Sequence, residues 1–127
     1  MRLFLGDIRD ASRLHQAFKG VEVVFHCAAM KHVGITEYNP SEAIKTNIDG
    51  VSNVIAAALE CGVSRVLFTS SDKAVNPSST MGVSKLLGEK LIISANNNVG
   101  DASSRFACVR FGNILDSRGS VVETFSK

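Results

Sequence analysis

Short apolar runs that do not alternate with polar residues are the feature that most constrains the fold of this chain. Two examples are Val21–Phe25 and Arg65–Thr69. A strand with one solvated face alternates, whereas a strand of a parallel sheet with both faces covered is apolar along its length. Segments with helical periodicity separate the runs and imply right-handed βαβ connections. The pattern therefore predicts an α/β protein with a doubly wound parallel sheet.

Four strands with intervening helices follow from this pattern. The predicted strands are Leu3–Leu5, Val21–Phe25, Val66–Thr69 and Phe106–Phe111. The predicted helices cover residues 11–18, 40–61 and 81–94, and a further helix begins within residues 121–125. Asp10 has the short acceptor side chain of a helix N-cap, and Gly20 and Gly62 stand where the first two helices should end.

Composition excludes several classes of function. The 127 residues suffice for one domain with a real core, and the net charge of +2 is too small to indicate a nucleic-acid partner. No apolar run approaches the roughly 18 residues of a membrane span, and the start turns polar too soon for a signal peptide. Cys27, Cys61 and Cys108 form no CxxC motif, which argues against zinc and fits a reducing compartment. We therefore expect a cytoplasmic chain without a metal site.

Polar clusters follow the predicted strands at their carboxyl ends. They are Gly6-Asp7, His26–Ala29, Ser70–Lys73 and Gly112-Asn113. Ligands of open α/β sheets bind at the carboxyl ends of the strands, so the clusters are expected to converge on one site. Met81 and Lys85 lie one helical turn apart on the helix that follows Ser70–Lys73, so they share a face.

The run Ser70–Ala74 with Met81–Lys85 resembles the active-site segment of extended short-chain dehydrogenase/reductases, specifically the nucleotide-sugar 4,6-dehydratases and epimerases of bacterial polysaccharide synthesis. Ala28–His32 resembles the A-A-x-K-H-V segment of that family, and Arg110–Ser120 resembles its R-F-G-N-V-x-x-S-R-G-S stretch. The resemblance covers essentially the whole chain. It implies the third to sixth strands of a Rossmann-like sheet, NAD or NADP as cofactor and a UDP-sugar, expected to be UDP-N-acetylglucosamine, as substrate.

The resemblance also assigns catalytic roles. Ser71 lies in the catalytic segment, Asp72 matches the acid for loss of water, and Lys73 matches the residue that exchanges the sugar C5 proton. Asp-Lys, where retaining dehydratases have Asp-Glu, is the pattern of the C5-inverting branch. Lys85 matches the lysine that binds the nicotinamide ribose. Met81 stands where most of the superfamily has a catalytic tyrosine, and a thioether transfers no proton. Either Asp72 or Lys73 then supports oxidation at C4, or the site is impaired.

Binding residues follow from the same resemblance. Those expected at the cofactor are Asp7, Ile8, Ala28, Ala29, Met30, Asn47, Ser70 and Lys85. Those expected at the sugar nucleotide are Lys31, His32, Asn113 and Arg118. Asp7 would accept a hydrogen bond from the adenine amino group. Asn47, a poor helix former, would kink its helix near the catalytic lysine.

The sequence contains no G-x-G-x-x-G motif. Residues 1–127 are therefore expected to form a partial NAD(P)-binding domain that lacks the glycine-rich unit and most of the substrate-binding part, and to bind the cofactor weakly or not at all. Without the first two family strands, Leu3–Leu5 should pair beside Val23–Phe25, exchange with a second chain in a dimer, or fray. The choice between NAD and NADP stays open, as does membrane anchoring of a longer parent.

Two alternatives to a dehydratase remain. A 4-epimerase of the same superfamily needs oxidation and reduction at C4 but no loss of water, and the pair Asp72-Lys73 favours the dehydratase over it. A non-catalytic remnant or assembly module is favoured by Met81 and by the missing glycine loop.

Overall fold

A computed structural model describes residues 2–99 and 103–113 of the chain. Within these ranges the chain forms a parallel sheet of three strands in the order β1-β2-β3. The strands are β1 Val23–His26, β2 Arg65–Ser71 and β3 Arg105–Phe111. The α/β class and the parallel sheet are confirmed. The helix expected within residues 121–125 lies outside the described residues.

The helices are α1 Ala11–Phe18, α2 Val33–Tyr38, α3 Pro40–Ile44, α4 Gly50–Glu60 and α5 Thr80–Ala95. Asp10 caps α1 by accepting a hydrogen bond from the Arg13 amide, as predicted. Gly20 and Gly62 adopt φ values of 73° and 69°, which glycine reaches without the steric cost of a side chain. The sequence did not predict α2, because this six-residue helix buries only Thr36 and has no apolar stripe.

The core lies between one face of the sheet and helices α4 and α5. Val66 and Phe68 of β2 project into it, and Val51, Val54 and Ile92 pack there from the two helices. Alternate strand residues point to the opposite face. There Phe25 is 67% exposed and Phe111 is 43% exposed. The described helices therefore cover one face of the sheet.

The structure has no strand over Leu3–Leu5, so of the outcomes expected for this segment pairing with β1 is wrong, and the unpaired arrangement agrees with the structure. Leu3–Leu5 belongs to no sheet and does not pair with β1. Leu3 is 86% exposed and Leu5 is 92% exposed, and the Leu5 carbonyl accepts a hydrogen bond from the Arg13 side chain at 2.8 Å. Strand geometry is stabilised by pairing, and no described strand lies beside this segment to accept its hydrogen bonds. Arg13 of α1 contacts the segment instead, through this hydrogen bond and through the Phe4 ring, whose centre lies 4.9 Å from its guanidinium carbon.

His26, the last residue of β1, is a buried base. The residue is 4% exposed, its ring packs against Phe68 at a tilt of 34° with centroids 5.4 Å apart, and its Nε2 has no hydrogen-bond partner among the described residues. Burial, with a smaller contribution from the charge of Lys85, lowers the pKa of His26 to about 4. The imidazole is therefore neutral in the folded chain at neutral pH.

We predict that acid destabilises the chain through His26. The unfolded imidazole binds a proton below its ordinary pKa of 6.5, whereas the folded one does not until the pH approaches about 4. The free energy of unfolding should therefore fall as the pH drops from 6.5 to 4, by about 3 kcal/mol in all from this group. Denaturant titrations of the native chain and His26→Phe should show the slope reduced in the variant. An equal slope in both would contradict this assignment, and His15→Gln, at a half-exposed histidine, is the control.

Candidate active site

Four of the predicted catalytic and substrate residues meet at the carboxyl ends of β2 and β3. β2 runs into a 3₁₀ turn over Asp72–Ala74, and Ser71 caps this turn by accepting a hydrogen bond from the Lys73 amide at 3.2 Å. The Ser71 hydroxyl donates to Asp72 Oδ1 at 2.8 Å. Lys73 Nζ lies 3.5 Å from Asp72 Oδ1 and 3.4 Å from Asn113 Oδ1 at the end of β3. The parallel register thus brings together residues 40 positions apart.

The hydrogen bond from Ser71 and then the charge of Lys73 hold the pKa of Asp72 below its ordinary value. The Asp72 side chain is 55% exposed. Asp72 is therefore a carboxylate at neutral pH in this state, although the resemblance assigns it the part of an acid. A catalytic acid must carry a proton at the moment it acts.

The side chain of Lys85 is buried against the carboxyl-terminal part of β2. Its Nζ donates to the Thr69 carbonyl at 2.8 Å and lies 4.6 Å from the centre of the Phe68 ring. Burial lowers the pKa of this lysine, while the charges of Cys27 and Glu89 oppose the shift. An ammonium has three donors, and among the described residues Lys85 uses one of them. The remaining donors fit the ribose hydroxyls that the resemblance assigns to it.

Met81 lies in the first turn of α5, where Ser79 caps the helix by accepting a hydrogen bond from the Gly82 amide. The Met81 side chain is buried, so it packs in the core at the position of the family tyrosine. Gly82 allows this turn to press against the 3₁₀ turn, because a Cβ at Gly82 would collide with the Lys73 carbonyl. The absence of a side chain at Gly82 therefore allows the backbone of Lys73 to lie close to the helix that carries Lys85.

We predict that Gly82→Ala lowers the free energy of unfolding by about 1–3 kcal/mol, because the added methyl group displaces the backbone of Lys73. Gly34→Ala is the matched control in α2. No atom lies within 4 Å of a Cβ at that position, so the change should be neutral or stabilise by about 0.5–1 kcal/mol. Denaturant unfolding of both variants measures the difference. Equal stabilities would show that the two turns are not in close contact.

Asn47 lies in a π-helical turn, Lys45–Asp49, that joins α3 to α4. Its side chain is buried, accepts a hydrogen bond from the Met30 amide at 2.8 Å, and donates to the Met30 carbonyl at 3.0 Å and to Ser84 Oγ at 2.9 Å. The single helix expected over residues 40–61 is thus interrupted at Asn47 by the π turn. Asn47 thereby fixes the loop after β1, which contains Ala28 and Ala29, against the helix that carries Lys85.

Other predicted binding residues lie elsewhere. Asp7 is exposed, and Arg9 binds both of its carboxylate oxygens at 2.8–3.1 Å, which lowers the Asp7 pKa. Ile8 packs against Gly50 of α4. Ser70 is buried on the helix-facing side of β2. Lys31 and His32 are exposed at the start of α2, and Arg118 lies outside the described residues.

Sequence reasoning missed the ion pair between Glu89 and Arg110. Both carboxylate oxygens of Glu89 accept hydrogen bonds from Arg110, at 2.8 and 2.7 Å, and this contact lowers the pKa of Glu89. Glu89 lies one turn after Lys85, and Arg110 lies three residues before Asn113. The pair ties α5 to the end of β3. The spacing of Glu89 from Lys85 was the signal in the sequence that could have predicted this ion pair. It places a carboxylate on the buried face of α5, where a carboxylate needs a cation as partner.

Within residues 2–99 and 103–113, no helix is long and apolar enough to cross a membrane. The same residues contain no group of three or more histidine, cysteine or acidic side chains arranged to bind a metal ion.

A family model described as polysaccharide biosynthesis protein matches residues 1–127. Over all 127 residues the chain is 52% identical to a UDP-N-acetylglucosamine 4,6-dehydratase (inverting) from Campylobacter jejuni, and it covers 38% of that protein. It is 41% identical over 125 residues to a UDP-glucose 4-epimerase from Rickettsia akari. This alignment covers 98% of the chain and 37% of the epimerase. The chain thus spans little more than a third of the length of the curated relatives it matches.

Solved structures agree with this fold. The X-ray structure of Pen from Bacillus thuringiensis matches with a TM-score of 0.94 and 48% identity, over 98% of this chain and 39% of that one. A dTDP-glucose 4,6-dehydratase from Streptomyces venezuelae, solved with NAD bound, matches with a TM-score of 0.76 and 25% identity, over 83% of this chain and 36% of that one. These matches confirm the Rossmann-like architecture and its incompleteness.

Proposed function

Because this chain belongs to the polysaccharide biosynthesis protein family, we propose that it forms the catalytic centre of an NAD(P)-dependent nucleotide-sugar 4,6-dehydratase of the C5-inverting type. The single observation that carries the proposal is the contact of Lys73 with both Asp72 and Asn113, beside the helix that carries Lys85. An acid, an amine and a substrate-binding amide at one sheet edge are the groups that this reaction needs. UDP-N-acetylglucosamine is the proposed substrate, in the synthesis of a bacterial surface polysaccharide.

The nicotinamide, when bound, supplies the acceptor for hydride from the sugar C4. Lys85 would bind the ribose through the donors that the Thr69 carbonyl leaves open. Lys73, after its ammonium has given a proton to solvent, would take the proton from C5, which the ketone at C4 acidifies, and Asp72 would protonate the departing C6 hydroxyl. Asn113 would orient the sugar nucleotide next to Lys73. These roles rest on the family resemblance together with the contacts described above.

A chimera tests the proposal directly. Residues 1–127 replace the aligned segment of the Campylobacter jejuni dehydratase, which supplies the rest of the domain. Incubated with UDP-N-acetylglucosamine, the chimera should release a product that is lighter by one water. A folded chimera that binds the substrate and releases no dehydrated product would contradict the proposal. The unmodified relative serves as the positive control.

A 4-epimerase is the second candidate, and the identity to the Rickettsia protein favours it. It would give a C4 epimer of unchanged mass from the same chimera. A non-catalytic module, the third candidate, would leave the substrate unchanged and would agree with weak cofactor binding by the 127-residue chain alone. Association into a homo-oligomer or a strand-exchanged dimer is compatible with each candidate.

A further inference from the structure

We propose that Ser71 and Asp72 form a proton path that replaces the missing tyrosine: Ser71 takes the proton of the sugar C4 hydroxyl while it passes its own proton to Asp72. This inference rests on the proposed function and extends it to the first chemical step. It identifies the proton that Asp72 later delivers to the leaving group as the Ser71 proton, which the proton removed from C4 replaces.

The need for such a path comes from Met81. The residue at the tyrosine position has no titratable group, and its side chain is buried. Oxidation at C4 still requires the loss of the hydroxyl proton. Lys73 does not take this proton in the described state, because it lies beside Asp72 as a cation and an ammonium has no acceptor site.

The geometry supplies the path. The Ser71 hydroxyl donates its proton to Asp72 Oδ1 at 2.8 Å, and its oxygen accepts one hydrogen bond, from the Lys73 amide. A hydroxyl oxygen has two acceptor sites, so one remains for a substrate hydroxyl. The Asp72 carboxylate is ionised and half exposed at the open end of β2, where it can receive the proton.

The steps balance in atoms and charge. The C4–H bond breaks, and its electron pair leaves with the hydrogen as hydride to the nicotinamide. The C4 hydroxyl proton passes to Ser71 Oγ as the serine proton passes to Asp72, and a ketone forms at C4. Lys73, whose ammonium first gives a proton to solvent, then takes the C5 proton, and the C6–O bond breaks as Asp72 gives its proton to that oxygen. Water leaves, and Asp72 is a carboxylate again. The hydride returns to C6, and C5 takes a proton from solvent on the face opposite Lys73, which inverts C5 and leaves Lys73 as an ammonium.

The same steps account for the state of Asp72. In the free chain this residue is a carboxylate, whereas loss of water needs the carboxylic acid. A proton gained during C4 oxidation makes Asp72 an acid at the step that uses it. Oxidation and elimination are thus linked through one group.

The first test uses the 127-residue chain without cofactor or substrate. The Asp72 carboxyl carbon is followed by NMR across a pH titration in the native chain, Ser71→Ala and Ser71→Thr. The pKa of Asp72 should rise towards its ordinary value in Ser71→Ala and stay low in Ser71→Thr, which keeps the hydroxyl. Ser12→Ala is the matched control, because Ser12 donates to Asp10 at 2.8 Å but the Arg13 amide is the main cause of the low Asp10 pKa. Asp10 should therefore shift less.

The second test follows formation of reduced nicotinamide in the chimera within one turnover. Ser71→Ala and Asp72→Asn should slow it about 10²–10⁴-fold, the usual contribution of a positioned proton acceptor. Ser71→Thr should restore it, and Ser12→Ala should match the chimera.

The outcomes separate this inference from the proposed function. Formation of reduced nicotinamide at the chimera rate in Ser71→Ala or Asp72→Asn would overturn the proton path while the dehydratase stands. If the chimera forms no reduced nicotinamide at all, the proposed function fails, and the NMR titration then decides the Ser71–Asp72 contact alone. An Asp72 that titrates identically in the native chain and in Ser71→Ala would overturn the path.

Discussion

Replacing Lys73 with alanine in the chimera should abolish exchange of the sugar C5 proton with solvent, with a loss of about 10²–10⁴-fold in rate. Lys73 is held at the end of β2 by the 3₁₀ turn and lies 3.4 Å from Asn113 Oδ1, so its amine faces the proposed sugar position. Lys85, the other lysine of the site, is directed to the Thr69 carbonyl. Deuterium incorporation at C5 in heavy water measures the effect.

The control for Lys73 is Lys45→Ala. Lys45 also lies in an ion pair with a carboxylate, Glu42 at 2.7 Å, but on the exposed surface of the helical segment. It should exchange C5 deuterium at the chimera rate. Exchange at that rate in Lys73→Ala as well would remove Lys73 from the reaction.

Asn47→Ala should lower the free energy of unfolding of the chain by about 3–5 kcal/mol, the largest effect on stability that we expect. The change leaves the part-buried Met30 amide and carbonyl without their partner, and it removes one of the two hydrogen bonds of the buried Ser84 hydroxyl, which still donates to the Met81 carbonyl. Asn53→Ala is the matched control, because Asn53 donates a single hydrogen bond, to the Ile8 carbonyl, and should cost about 1 kcal/mol. Denaturant unfolding that gave equal losses for both would contradict the bridging role of Asn47.

Local signals in the sequence predicted most of the fold. The Asp10 cap, the glycines that end α1 and α4, and the apolar runs of β2 and β3 each depend on a few neighbouring residues, and all were confirmed. The Leu3–Leu5 strand failed because an apolar triplet does not reveal whether a partner strand lies beside it. The π turn has no local signature in the sequence, because it depends on the three contacts of Asn47 with distant groups.

Some contacts of the candidate site could likewise be predicted from the sequence, and others could not. Ser71, Asp72 and Lys73 are consecutive, so their contact follows from one turn. The contact of Lys73 with Asn113 needs the parallel register of β2 and β3, which the βαβ pattern implied. The pairing of Asp7 with Arg9 and that of Glu89 with Arg110 were not predicted, because charge patterns alone do not say which cation a carboxylate will face.

The most direct test of the central claim is the product that the chimera makes from UDP-N-acetylglucosamine in heavy water. A C5-inverting dehydratase built on Asp72 and Lys73 should release a 4-keto-6-deoxy sugar that carries deuterium at C5 with inverted configuration there. A product of unchanged mass, epimerised at C4 and without deuterium at C5, would contradict the account and identify an epimerase.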